Sequence, residues 1–192
     1  ISLVPTGEEH FVAKISEILC EGCGICVGTC PLNAIDLKHV KQEQINTQIR
    51  ALLSMKETSK PLVLAICCSE CGHAAVDSSS VARINYPASV RVMTVPCTGI
   101  IQVHNMLEAF KAGAQGVMII GCKEDGCQYD MGSQIAKRKV EFAKLILKDI
   151  GIEPERLEMF NMIFAEGRKF AETAREMVNK IEKLGPIKLY EI

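Results

Sequence analysis

The sequence contains little that would direct it to a membrane or to a polyanion. No apolar run approaches the roughly 20 residues that a membrane-spanning helix needs, and no signal peptide is visible. Its 22 basic and 23 acidic residues leave a formal net charge of -1, so no charge excess favours nucleic acid. We therefore expect no membrane insertion, no nucleic acid partner and a cytoplasmic location.

The signatures of a self-contained enzyme are missing as well. The sequence shows no catalytic triad, no paired acid and base carboxylates and no phosphate-binding loop. It also lacks a GxGxxG motif after a strand, the fingerprint of a dinucleotide-binding site. We expect no self-contained active site in this chain.

Cysteine, by contrast, is abundant, with ten residues in a chain of 192. Small secreted proteins use such numbers for disulfides, but they carry signal peptides and lack long helical segments. Here 48% of the residues are hydrophobic, which is enough for a core without disulfide bonds. Reduced, metal-binding cysteines in a cytoplasmic and anaerobic setting explain the composition better.

The first group of cysteines lies in the stretch CEGCGICVGTCP (20–31), which has the spacing of the bacterial ferredoxin run for a 4Fe–4S cluster. This spacing lets one loop wrap three corners of the cluster, while Gly22 and Gly24 let the backbone curl close to its sulfides. Zinc usually takes two separated CxxC pairs, which this run does not provide. We therefore predict an iron–sulfur site that uses Cys20, Cys23, Cys26 and Cys30.

The same motif predicts that one ligand comes from outside it. In two-cluster ferredoxins the fourth cysteine of each run ligates the other cluster, so we expect Cys30 to serve a neighbouring cluster. The sequence has no second CxxCxxC run, and GEEHFVAKISEILC (7–20) resembles the strand that opens the second half of a ferredoxin. We expect the first half to lie upstream in a longer protein and to supply the missing ligand. Cys67 is a less favoured source.

The pattern of apolar residues divides the chain into two regions. Residues 1–53 are predicted to form an α+β ferredoxin-like half-module, in which strand His10–Ile15 pairs with Ala34–Leu37 and a helix follows. The polar segment 54–60, which precedes Pro61, is predicted to be a linker. Residues 61–192 are predicted to form a small α/β doubly wound domain with a parallel sheet.

Strands and helices alternate in the second region. PLVLAICC, VRVMTVPC and GVMIIGC are continuous apolar runs of the kind found in parallel strands that are buried on both faces. A fourth strand is predicted at Leu157–Phe164, and helices are predicted at Ile101–Lys111 and from Gly167 onward. This alternation predicts the doubly wound arrangement.

Each of the three apolar runs ends in cysteine. Parallel strands bring their carboxyl ends to one edge of a sheet, so we expect the thiols to meet there. A 2Fe–2S cluster with four cysteine ligands fits best, whereas structural zinc and a redox dithiol formed by Cys68 and Cys71 are the alternatives. The cysteines of this second group are Cys67, Cys68, Cys71, Cys97, Cys122 and Cys127.

These residues resemble two known families. The stretch ISEILCEGCGICVGTCPLNAIDLKHVKQEQINTQIRALL (15–53) resembles the C-terminal ferredoxin segment of the heterodisulfide reductase A subunit. The stretches CSECGHAAVD, INYPASVRVMTVPCTG, LEAFKAGAQGVMIIGC and KRKVEFAKLILKDIGIEPERL resemble the delta subunit of methyl-viologen-reducing hydrogenase. Together the two resemblances cover nearly the whole chain.

The resemblance to the delta subunit implies a 2Fe–2S cluster. The family's cysteine pattern maps onto Cys68, Cys71, Cys97, Cys122 and Cys127 without showing which four are ligands, and Cys67 lies outside it. The implied role is electron entry from a hydrogenase or formate dehydrogenase partner, through the 2Fe–2S and 4Fe–4S clusters, to an FAD on the heterodisulfide reductase A subunit. Other heterodisulfide reductase subunits are the implied partners, and electron bifurcation is implied for the whole assembly.

A short basic run, Lys137–Lys139, lies in a predicted amphipathic helix. Such charge patterns are usual on exposed helix faces, so we interpret the run as solvated. A docking site is the alternative interpretation.

Overall fold

The computed structural model describes residues 1–7, 10–54 and 60–187, so most of the linker predicted at 54–60 lies outside the described residues. The strands are β1 (Ser2–Pro5), β2 (Phe11–Lys14), β3 (Val63–Cys68), β4 (Val90–Val95), β5 (Gly116–Gly121) and β6 (Leu157–Asn161). The helices are α1 (Ile25–Thr29), α2 (Gln42–Ser54), α3 (Ala74–Val81), α4 (Val103–Lys111), α5 (Gly132–Asp149) and α6 (Gly167–Leu184).

A four-stranded parallel sheet forms the centre of the second region, with the strand order β4-β3-β5-β6. Every residue of the two central strands, β3 and β5, is buried. Continuous burial is what strands covered on both faces require, and it explains their unbroken apolar sequences. In the register of the sheet, Val63 lies beside Val90 on one side and beside Gly116 on the other. The predicted parallel α/β arrangement is confirmed.

Helices cover both faces of this sheet and create two apolar cores. One core contains residues of α2, α4 and α5, such as Ile45, Met106 and Val140. The other contains residues of α3 and α6, such as Ala75 and Phe170. In the described parts of the chain, no helix combines the length and apolar character needed to cross a bilayer.

The connections that leave β3, β4 and β5 meet at the carboxyl edge of the sheet. The chain goes from β3 to β4 on one side, whereas β5 lies on the other side of β3, so the strand order reverses between β3 and β5. Such a reversal opens a crevice outside the carboxyl ends of the strands. Three short turns lie in these connections, a π-helical turn at Ser69–His73 and 3-10 turns at Thr98–Ile100 and Glu124–Gly126.

The strand predicted at His10–Ile15 is present as β2, but its predicted partner is wrong. β2 pairs antiparallel with β1, which was not predicted, and Ser2 lies opposite Lys14. The backbone N–H of Thr6 donates to the carbonyl of His10 at 2.8 Å and closes this hairpin. A local hairpin needs less chain ordering than a pairing across the cysteine loop. The predicted partner Ala34–Leu37 has no strand structure, and its Ile35 and Leu37 pack against the first core instead.

Helix α2 attaches the first region to the second. Its apolar residues Ile45, Ile49 and Leu53 are buried in the core beneath the sheet. Beside them, the Asn105 side chain on α4 donates to Asn46 Oδ1 at 2.8 Å. Because buried polar groups need partners, this contact fixes the position of α2 on α4. The first region is therefore packed onto the α/β sheet.

Candidate metal centres

The first cysteine group surrounds a cavity of about 710 Å³. Gly22 and Gly24 precede α1 with φ values of 68° and 75°, a left-handed conformation that favours glycine and curls the loop. The lining includes Cys20, Cys23 and Cys26, apolar residues from the end of the hairpin, and Tyr129 from the second region. Three thiols on one tightly curled loop around such a cavity are a donor set that fits a 4Fe–4S cluster.

Cys30 lies apart from this cavity, at the end of α1. Its backbone N–H donates to the carbonyl of Cys26 at 3.0 Å, and its Sγ accepts from the backbone N–H of Ala34 at 3.4 Å. Hydrogen bonds from the backbone of Ala34, and then of Leu32, lower the pKa of the Cys30 thiol. The cavity lining does not include Cys30, so the four cysteines of the motif do not all face one space.

The second cysteine group meets at the carboxyl edge of the sheet, around Cys122. Cys68 follows from β3 and Cys122 from β5, and their Sγ atoms are 3.7 Å apart. The thiols of Cys71, on the π-helical turn, and of Cys127 also lie close enough to favour a thiolate at Cys122. The thiols that follow β3 and β5 therefore meet at this edge, and the sulfur of Cys97, which follows β4, lies near that of Cys127, because a Cβ on Gly132 would approach both.

The protons of this group are shared unequally. Hydrogen bonds, first of all from Cys68, stabilise the thiolate of Cys122 and lower the pKa of that thiol. The same contact raises the pKa of Cys68, and burial raises the pKa of Cys71 to about 12. The geometry thus places one anionic sulfur among neutral thiols, an arrangement that a bound cation would stabilise further by releasing their protons.

Cys97 lies between the two cysteine groups. It is buried, and its Sγ accepts the backbone N–H of Gly99 at 3.4 Å. Burial raises the pKa of this thiol to about 12, and the thiol also feels the charges of Cys127, Cys23 and Cys122, in that order. Gly132 at the start of α5 makes room for it, because a Cβ at that position would overlap the Cys97 sulfur.

Cys67 belongs to neither group. It is fully buried in the core between the sheet and α3 and α6, and burial raises the pKa of its thiol to about 12. It is also not among the residues that line the first cavity. The structure therefore gives no support to Cys67 as the missing ligand of the first cluster.

Backbone contacts between glycines hold the first loop against Cys97. A Cβ on Gly28, in α1, would overlap the carbonyl oxygen of Gly99, and a Cβ on Gly24 would overlap the side chain of Ile100. The Gln102 side chain donates to Val27 O at 3.3 Å across the same contact. No motif in the sequence predicts this junction. Only the small residues Gly28 and Gly99 hint at a close approach.

No three histidine, cysteine, aspartate or glutamate side chains in the described ranges are arranged as ligands of one metal ion. The Cys122 contacts bring sulfurs together, but not in the compact tetrahedron that a single zinc ion requires. A four-cysteine 2Fe–2S cluster needs only pairs of close thiols, because each of its two irons binds two cysteines.

One residue of the basic run does not behave as predicted. Lys137 and Arg138 are exposed, as expected for a solvated face, and Lys137 pairs with Glu124. Lys139, however, is half-buried and donates from Nζ to the carbonyl of Gly99 at 2.8 Å. The sequence offered one signal for this difference. Lys139 precedes Val140 of the buried stripe, and adjacent helix positions point about 100° apart, so Lys139 borders the buried face of the helix.

Comparison with known proteins matches two separate stretches of the chain. A model of the methyl-viologen-reducing hydrogenase delta subunit matches residues 63–185, and a model of the 4Fe–4S binding domain matches residues 13–36. The iron-sulfur D subunit of the vhu F420-non-reducing hydrogenase of Methanocaldococcus jannaschii is 41% identical over 126 residues, which cover 66% of this chain and 94% of that protein. The corresponding protein of Methanococcus maripaludis is 41% identical over 128 residues, covering 67% and 96%.

The resemblance to heterodisulfide reductase spans both regions. The A subunit of the ferredoxin:CoB-CoM heterodisulfide reductase of Methanosarcina mazei is 39% identical over an alignment 219 positions long, gaps included, which covers 97% of this chain. The chain spans only 28% of the length of that protein. The parallel sheet, the cysteine positions and the match over residues 63–185 all point to the same family. The chain belongs to the family of the delta subunit of methyl-viologen-reducing hydrogenase, joined here to a segment similar to the C-terminal part of the heterodisulfide reductase A subunit.

Proposed function

We propose that this chain is the electron-transfer module of a heterodisulfide reductase-type complex, with a 4Fe–4S cluster in the first region and a 2Fe–2S cluster in the second. The observation that carries this proposal is the junction at Cys97, where the two cysteine groups approach each other. Cys23 of the first group lies within electrostatic range of Cys97. Iron–sulfur clusters supply one-electron transfer, and proximity of two such sites is what a relay requires.

The residues of the chain would hold the clusters and set their spacing. Cys20, Cys23 and Cys26 are the proposed ligands on the first loop, and Cys30 is available to a neighbouring cluster, as the ferredoxin spacing implies.

In the second region, the contacts around Cys122 favour Cys68, Cys71, Cys122 and Cys127 as the four ligands. Cys97 then lies between the clusters as a buried thiol, on the side that faces the first loop.

The donor and acceptor belong to the assembly. We propose that electrons enter at the second region from a hydrogenase or formate dehydrogenase partner and leave through the first region. From there they would reach further clusters and an FAD in the A subunit of the complex, where bifurcation takes place. The similarity to hydrogenase and heterodisulfide reductase subunits supports this assignment. The chain covers only 28% of the similar heterodisulfide reductase protein, so the complete activity would require other parts.

Two other functions make different use of the same cysteines. A thiol–disulfide protein would cycle Cys68 with Cys71, but the Cys68 thiol contacts Cys122. A zinc-stabilised docking subunit would need one compact tetrahedral site, and the described residues offer none. Both alternatives remain distinguishable from the proposal by their metal content.

The test is low-temperature EPR of anaerobically prepared, dithionite-reduced protein, with iron and zinc quantified in the same sample. We expect a slowly relaxing 2Fe–2S signal, and a faster-relaxing 4Fe–4S signal when the missing ligand is supplied. One zinc per chain without a 2Fe–2S signal would refute electron transfer through the second region. A colourless, metal-free protein with reactive thiols would instead support the dithiol function.

A further inference from the structure

Lys139 places a positive charge at the junction between the two cysteine groups. It lies on α5, where its neighbours Lys137 and Arg138 are exposed to solvent. Its Nζ donates to the carbonyl oxygen of Gly99 at 2.8 Å. The same carbonyl oxygen is the atom against which Gly28 of the first loop packs. The ammonium group therefore lies at the point where the first region contacts the connection that carries Cys97.

The surroundings of Lys139 do not explain why a charge is kept there. Removing an ammonium group from water is costly unless an opposite charge compensates for it. Lys137, Lys144 and Lys180 all form ion pairs with glutamates. Among the described residues Lys139 has no such pair, and burial lowers its pKa to about 8. Besides its hydrogen bond to Gly99, the interaction that favours its charged form is with Cys97, whose own thiol is kept protonated by burial.

We propose that the positive charge of Lys139 stabilises the reduced state of the iron–sulfur centre in the second region and so raises its reduction potential. This inference rests on the proposed function. Reduction there adds one electron from an external one-electron donor protein and converts one ferric iron to ferrous. No bond breaks and no proton moves, so the site becomes more negative by one charge. A cation held within a poorly solvated junction favours that state more strongly than a cation in water would.

The test compares reduction potentials in the full chain, measured by EPR-monitored redox titration under anaerobic conditions. Lys139→Met keeps the length of the side chain and removes its charge. We expect the ratio of reduced to oxidised 2Fe–2S centre to fall about tenfold at a given potential, which equals about 59 mV for one electron. Lys139→Arg retains the charge and should stay close to the wild-type value. Lys137→Met is the matched control, because it removes a solvent-exposed charge from the same helix, and it should leave the potential unchanged.

A purely structural role for Lys139 gives a different pattern. If its only role is to donate to Gly99, then Lys139→Gln, which keeps a donor, should restore the wild-type potential. A potential in Lys139→Gln as low as in Lys139→Met shows that the charge, and not the hydrogen bond, raises the potential. Lys139→Gln also replaces Lys139→Met in the titration if Lys139→Met loses iron. An unchanged potential in folded Lys139→Met or Lys139→Gln, with wild-type iron content, overturns the inference. Absence of any 2Fe–2S signal in the wild-type protein would refute the proposed function itself.

Discussion

The two cysteine groups of this chain bring their thiols together in opposite ways. The first group takes all its thiols from one short loop, and Cys20 in it is exposed. The second group collects Cys68 and Cys122 from two parallel strands, and both are buried. In the first group the local sequence sets the spacing of the ligands, whereas in the second the sheet sets it. A loop of this kind can adapt to a cluster and a distant ligand, but a site built on strand ends is largely arranged before the cluster binds.

The contrast can be tested most strongly at the second group. Cys122→Ser removes the sulfur that contacts Cys68, Cys71 and Cys127. We expect loss of the 2Fe–2S signal and of about two irons per chain, because a four-cysteine cluster would then lack one of its four ligands. Cys97→Ser should retain both.

Cys67→Ser is the matched control for these two variants, since Cys67 is buried in the core away from the other thiols. Its iron content should equal that of the wild-type protein. Loss of the 2Fe–2S signal in Cys97→Ser, with an intact signal in Cys122→Ser, would exchange their roles and contradict the proposed ligand set.

The junction between the regions gives the next largest effect. Gly28→Ala places a Cβ against the carbonyl oxygen of Gly99, and both partners are backbone that cannot rotate away. We expect the free energy of unfolding to fall by about 1–3 kcal/mol, the usual cost of overpacking. Urea unfolding followed by circular dichroism measures this change. Gly7→Ala is the control, because a Cβ at Gly7 meets no described atom within 4 Å. Equal stabilities of the two variants would show that the close approach of the regions is absent in solution.

The smallest effect concerns pH and the contact of α2 with α4. Arg50 on α2 donates to Glu108 on α4 at 2.9 Å, and this hydrogen bond lowers the pKa of Glu108 below 4.5. The unfolded chain therefore binds the proton more readily, so this contribution to stability exists above pH 4.5 and is lost as pH falls through the lowered pKa. Glu108→Gln should flatten the acid side of the stability profile, measured by urea midpoints between pH 3 and 7.

Glu172→Gln provides the comparison for that experiment, because Glu172 is exposed on α6. Its profile should follow that of the wild-type protein. An acid profile of Glu108→Gln that matches the wild-type profile would mean that the contact with Arg50 contributes nothing to stability.

Much of the second region could be predicted from sequence. The apolar runs indicated the strands, since burial on both faces leaves no polar positions to interrupt them. The carboxyl ends of parallel strands lie at one edge, so the meeting of Cys68 with Cys122 followed from topology. The order of the strands and the contact of Cys97 with Gly132 depend on packing, which periodicity does not report.

The errors lie where local patterns compete with tertiary contacts. Ile35 and Leu37 have the apolar character of a strand, but they pack against the core, and β1 takes the place beside β2. Lys139 follows two exposed basic residues and could not be distinguished from them by charge alone. Its direction is set by the rotation of α5 against the sheet, which the buried position of Val140 reveals.

The packing of α2 through Ile45, Ile49 and Asn46 makes the contact between the two cysteine groups an intramolecular one. A loop carried on a separate polypeptide would meet Cys97 at a rate set by its concentration. Here α2 is continuous with the loop, so the encounter is intramolecular and its effective concentration stays high at any dilution. The same helix covers apolar surface that the second region would expose if it existed alone. Fusion of the regions thus makes the junction independent of protein abundance, and separation would turn one face of α4 into a binding surface.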